Sequence, residues 1–116
     1  MQIKFFSSTN GGTPVLEFID KLQKVDQAKN LACLKSIEDL GFESPRVQLR
    51  QIDGKLWEMK ISSSSGGYRI FYVAINKEVL ILLHAYKKQS QKAPARELKV
   101  AAKRLKEVLN DESYYT

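Results

Sequence analysis

Apolar and polar residues follow one another along this chain in two rhythms, and the switch between them divides it. Ile3, Phe5 and Phe6 stand among polar neighbours and run into Ser-Thr-Asn-Gly-Gly at residues 8–12, the pattern of a short strand closed by a turn. Residues 13–41 keep the helical period. Thr13 stands where it can cap a helix with Pro14 at its first position and Glu17 in its first turn, and Val15, Leu16, Phe18, Ile19 and Leu22 form its apolar stripe. A break is expected around Val25, with Asp26 capping a second helix that carries Leu31, Cys33, Leu34, Ile37 and Leu40 and stops at Gly41. The two segments read as a helical hairpin.

From Leu56 the period drops to two. Trp57, Met59 and Ile61 alternate with Glu58 and Lys60, as in a strand with one face on a core and the other in water. Residues 62–67 (Ser-Ser-Ser-Ser-Gly-Gly) read as a flexible connector. Residues 68–75 and 78–86 are rich in β-branched and aromatic side chains, and Asn76-Lys77 between them is a hairpin signal. After Pro94, residues 96–110 form a basic helix with Leu98, Ala101, Ala102, Leu105, Val108 and Leu109 on one side. The expected architecture is therefore α+β: an antiparallel sheet of about four strands, an N-terminal helical hairpin and a C-terminal basic helix. Helices on one face would leave the other partly open, and Glu58 and Lys60 should point to that open face.

A length of 116 residues predicts one domain spanning 1–116. Charge adds more. The formal net charge is +6, yet the first 44 residues hold 5 basic and 6 acidic side chains, so the excess lies in the remainder. Residues 87–106 alone carry Lys87, Lys88, Lys92, Arg96, Lys99, Lys103, Arg104 and Lys106 against Glu97. A one-sided cationic surface favours a phosphate-bearing partner, because it releases counterions condensed on nucleic acid. The single cysteine, Cys33, reads as a buried structural thiol, and one Cys with one His excludes a Cys/His zinc site built from this chain alone. No apolar run approaches a membrane span, so a cytoplasmic protein with no membrane partner is expected.

No glycine-rich phosphate loop, nucleophilic triad or metal-spaced carboxylate cluster is present, and no cofactor is expected. What remains is a basic, aromatic sheet surface made of Glu58, Lys60, Arg69, His84, Tyr86, Lys87 and Lys88. Such a set suits RNA cleavage without a metal: a base takes the ribose 2′-proton while fixed cations stabilise charge building on the phosphate. Crowded lysines also lower one another's pKa, which brings an amine closer to proton transfer at neutral pH. Glu58 is either the base or the ion partner of Lys60. His84, expected on the side of Leu82 and Tyr86, is either catalytic or a satisfied histidine at the core edge.

The blocks LWEMK (56–60), GGYRIFY (66–72), LLHAYKKQSQKAP (82–94) and AAKRLKE (101–107) together resemble the RelE/HigB branch of the RelE/ParE toxin superfamily, and most of all the HigB-like toxins of phage origin. The resemblance implies a RelE-like fold and a toxin of a type II toxin–antitoxin pair that cuts mRNA in the ribosomal A site. It implies a helix-turn-helix, HigA-like antitoxin as partner, with operator DNA contacted only through that antitoxin. Carried over by motif, Arg69 stabilises the phosphate, Lys60 serves the 2′-oxygen, and Lys87 and Lys88 stand where relatives hold a basic or imidazole acid. Tyr86, Lys92, Arg96 and Lys99 are the expected RNA contacts. The tyrosine that some members place at the start of the last helix has no counterpart in residues 89–95, which leaves base stacking to Tyr86, Tyr114 or Tyr115. Two other functions fit the same fold: a ParE-like inhibitor of DNA gyrase, and a nucleic-acid-binding module without catalysis.

Overall fold

The computed structural model describes residues 1–63, 66–88 and 94–116. Within them the chain forms β1 (Gln2–Phe5), α1 (Pro14–Asp20), α2 (Lys24–Leu40), β2 (Gln48–Asp53), β3 (Leu56–Ser63), β4 (Gly66–Ala74), β5 (Val79–Lys87) and α3 (Ala95–Asn110). The five strands make one sheet in the order β1-β5-β4-β3-β2. The expected α+β arrangement is thus present, with two differences. The sheet gains an edge strand, β2, which the polar run QLRQID concealed. It is also mixed, because β1 pairs with β5 in parallel while the other pairs are antiparallel.

Central β4 and β5 explain their own sequences. Both are buried along most of their length, so they read as unbroken apolar runs rather than alternating ones. On one face Met59, Ile61, Tyr68, Ile70, Tyr72, Leu80 and Leu82 meet Val15 and Ile19 of α1 and Cys33, Leu34 and Ile37 of α2. On the other, Phe71, Val73, Ile81 and Leu83 meet Ala101 and Val108 of α3, with Phe6 and Tyr115 closing the ends. Helices therefore lie on both faces, and the expectation that they share one face is corrected. The amphipathic stripe of α3 demands an apolar partner, and the second face of β4 and β5 is the one left over.

Two expected helix caps work differently from the sequence reading. Thr13 offers no side-chain cap; its N–H instead donates to Glu17 Oε2 at 2.8 Å. Asp26 sits inside α2 rather than before it. Its buried carboxylate accepts a 2.6 Å hydrogen bond from the Tyr68 hydroxyl and ties α2 to the sheet. The buried stripe of α2 accordingly runs Asp26, Asn30, Cys33, Leu34 and Ile37, and it leaves Leu31 and Leu40 exposed. Cys33 is fully buried, and burial raises its thiol pKa, as a structural cysteine requires. The connector around Asn76 is a four-residue turn in which Asn76 Oδ1 accepts from the N–H groups of Glu78 and Val79.

One irregularity matters for function. Phe71 faces His84 but Tyr72 faces Leu82, so Leu83 is an extra residue, a β-bulge in β5. Every side chain of β5 after it changes phase.

Candidate functional site

Residues directly opposite one another on paired strands project from the same face, so the register defines the site. Arg50, Glu58, Phe71 and His84 form one row across β2, β3, β4 and β5. Gln48, Lys60, Arg69 and Tyr86 form the next, toward the Lys87 end of β5. Lys60 and Arg69 are thus direct cross-strand neighbours on one face.

Glu58 lies beneath this surface. It is 1% exposed, and its Oε1 accepts a 3.1 Å hydrogen bond from Arg50 Nη2 and lies 3.8 Å from Arg69 Nε. The ion partners are two guanidiniums and not Lys60, which corrects one of the two expected roles. Glu58 Oε2 is buried with no hydrogen-bond partner among the described residues. A carboxylate that leaves one oxygen unpaired is a poor stabiliser, since such an atom costs about 1–3 kcal/mol. It is an effective anchor for side chains that would otherwise wander. Arg69 is itself buried, and its Nη1 donates to the Tyr68 carbonyl at 3.1 Å. It folds over Gly67, where a Cβ would stand 3.1 Å from Nη1. The missing side chain at 67 is therefore what lets the guanidinium lie flat on the strand.

His84 is held from both sides by α3. Arg104 Nη1 stands 3.2 Å from Nδ1 and Glu97 Oε1 stands 2.7 Å from Nε2. A guanidinium only donates, so Nδ1 must accept, and the proton of the neutral ring sits on Nε2 and is given to Glu97. Burial, the largest influence, lowers the His84 pKa, Glu97 opposes it and Arg104 reinforces it. Arg104 also donates to the Leu83 carbonyl at 2.9 Å, so it stitches α3 onto the bulge. His84 is on the side of Tyr86, as expected, but Leu82 points the other way because of that bulge. Both ring nitrogens are occupied by a structural clamp. Tyr86 stacks on Phe71 and His84 at ring separations of 5.8 and 6.4 Å. Its ring is buried, so the face expected to receive an RNA base is already taken. Burial first, and then the Glu58 carboxylate, raise the pKa of its hydroxyl.

Strand alternation separates the lysine pair. Lys87 pairs with Tyr68 and its Nζ lies 6.0 Å from that ring's centroid, on the face that carries α1 and α2. Its placement beside Lys60 and Arg69 is therefore corrected. Lys88 falls on the site face, where its N–H donates to the Gly67 carbonyl at 2.8 Å. Desolvation lowers its pKa, and repulsion from Arg69 and Lys60 lowers it further. Arg96 and Lys99 are exposed at the start of α3, with Arg96 Nε 3.8 Å from Glu97 Oε2. Lys92 lies outside the described residues. Tyr114 is exposed but lies beyond the far end of α3 from Glu97, and Tyr115 is buried with its hydroxyl accepting from Ser7 N–H. Neither supplies a stacking platform at the site.

Sequence reasoning missed Arg50, Gly67 and Arg104. The signal for Arg50 was the spacing Val47, Leu49, Ile52, a weak strand pattern that places position 50 opposite Glu58 only once β2 is paired.

This geometry can be set beside known proteins. A family profile, Phage derived protein Gp49-like (DUF891), matches residues 17–106. The chain belongs to the Gp49-like family. That family lies within the RelE/HigB-like superfamily of toxins from toxin–antitoxin pairs, which makes this chain a toxin-type protein with an antitoxin partner. No curated protein matches the chain. The matched span begins in α1 and ends in α3, so it contains Glu58, Lys60, Arg69, Lys88 and the His84 clamp. Among the described residues no helix is long and apolar enough to cross a membrane, and no group of three or more His, Cys, Asp or Glu is placed to hold a metal ion.

Proposed function

We propose that this Gp49-like toxin is an endoribonuclease, acting as one cytoplasmic domain, that cuts mRNA presented in the ribosomal A site. The observation that carries the reading is the cross-strand pair Lys60 and Arg69, two like charges opposed on one face of the sheet with Lys88 beside them. Like charges at that spacing disfavour folding by themselves. A phosphodiester placed among them relieves the repulsion, and the more highly charged phosphorane of the transition state relieves it further.

In this reading the ribose 2′-oxygen attacks the adjacent phosphorus, the bond from phosphorus to the 5′-oxygen breaks, and the products are a 2′,3′-cyclic phosphate and a 5′-hydroxyl. Arg69, held by Glu58, grips the phosphate oxygens. Lys60 stabilises the 2′-oxygen while its proton passes to solvent water. Lys88, whose lowered pKa eases proton release, protonates the departing 5′-oxygen. The positive charge a metal would otherwise bring comes from these three side chains. Glu58 acts through Arg69 and is a positioning residue; His84 acts by fixing α3. The antitoxin is a small, HigA-like helix-turn-helix protein that carries the pair to operator DNA.

Inducing the wild-type chain and Arg69→Ala in bacteria tests this. Primer extension on cellular mRNA should show new 5′ ends at codon boundaries for the wild type only. Growth arrest of equal strength by both, or arrest without new 5′ ends, removes the proposal; the latter result points to a gyrase-directed toxin.

A further inference from the structure

We infer that Arg50 is a second phosphate-binding guanidinium, which holds a phosphate flanking the scissile one and so leads the RNA across the sheet from β5 toward the β2 edge. This deepens the ribonuclease reading and rests on it. Arg50 shares the site face, opposite Glu58 in the register, yet it stands on the outermost strand. Its side chain is 54% exposed, and its one hydrogen bond among the described residues goes to Glu58 Oε1. A guanidinium has five donors in a planar fork, so the others remain open to solvent in a fixed orientation.

Anchoring separates this residue from an ordinary surface arginine. The pair is half in water on the Arg50 side, so it stabilises the fold less than a fully buried pair would. It does remove rotamer freedom before any ligand arrives, which is the usual route to tighter binding of a second group. Glu58 sets both guanidiniums through one oxygen, Arg69 inward and Arg50 outward. Lys88, on the β5 side, marks the other flank. With neighbouring strands about 4.8 Å apart, β5 to β2 spans roughly 14 Å, room for more than one phosphate. The strand thus crosses the pleat instead of running along it.

The test uses a 2′-O-methyl RNA oligonucleotide, which cannot be cleaved, and follows binding to the full chain by fluorescence anisotropy over a range of salt. Arg50→Ala should weaken binding about tenfold at low salt and reduce the slope of log K against log[salt] by about 0.7, the loss of one phosphate contact to a single strand. Arg50→Lys should restore the slope, because a point charge remains, and only part of the affinity. It also guards against a folding artefact, since it leaves Glu58 a cationic neighbour. If the wild type binds with a clear salt slope and Arg50→Ala binds equally well with the same slope, the inference about Arg50 is overturned while the ribonuclease reading stands. If the wild type shows no salt-sensitive binding at all, the inference about Arg50 is likewise overturned, and the codon-boundary 5′ ends of the induction experiment decide the ribonuclease reading by themselves.

Discussion

Glu58→Gln isolates the device on which the site depends. The change keeps the side chain's shape and removes its charge, so Arg69 loses the only carboxylate near it among the described residues. Deleting one partner of a fully buried ion pair costs about 3–5 kcal/mol, whereas exposed pairs are worth only about 0.2–1 kcal/mol. Here the two contacts differ. The contact to Arg50 is shorter at 3.1 Å but its guanidinium is half in water; Arg69 is buried but stands at 3.8 Å and keeps the Tyr68 carbonyl. An intermediate cost of about 2 kcal/mol follows, which for a domain of this size is a drop in Tm of roughly 8 °C. Urea titration of Glu58→Gln, Arg69→Gln and the double variant measures the coupling directly. Glu58→Gln leaves the buried Arg69 without its carboxylate, Arg69→Gln leaves the buried Glu58 with Arg50 alone, and the double variant keeps neither buried charge, so the double should cost at least about 1 kcal/mol less than the sum of the singles. Additivity within about 0.3 kcal/mol would refute the anchoring argument, whatever the effect on activity.

Three further outcomes are expected. Gly67→Ala should lower cleavage about tenfold with little change in Tm, because the new methyl group meets Arg69 Nη1 at 3.1 Å and a 1 Å misplacement is already costly; full activity would show that the guanidinium has no fixed position. Lys88→Ala should cut the single-turnover rate by about 10²-fold, as loss of a general acid does, while Lys87→Ala leaves it nearly unchanged, and equal losses would contradict the division of the pair between faces. Thermal melts from pH 7.5 to 5 should show a destabilisation that His84→Gln lacks. The folded pKa of His84 lies below its unfolded value near 6.5, so the unfolded chain binds the extra proton first. The stability that this group contributes is therefore complete above pH 6.5 and drains away as pH falls from there toward the folded pKa. A melting temperature that rises on acidification, reversed by the substitution, would mean the ring is charged in the fold.

Local pattern determined a good deal of this protein. The helical stripes, the period-two block at 56–61, the apolar runs of β4 and β5 and the basic amphipathic α3 are readable because burial imposes its period on the residues that undergo it. The charge imbalance and the motif blocks around Lys60 and Arg69 were equally visible, and one strand register sufficed to put those two on the same face. Tertiary structure decided what local period cannot contain. The pairing of β1 with β5 joins segments more than seventy residues apart. β2 is a polar edge that becomes a strand only against β3. The bulge at Leu83 turned His84 and Tyr86 onto the face with α3, and simple alternation then sent Lys87 one way and Lys88 the other. Glu58, flanked by Trp57 and Met59 on a strand expected to be half wet, is sealed by arginines from two neighbouring strands. A one-residue change of phase moves a side chain across the whole thickness of a sheet, and that phase is set by partners distant in the chain.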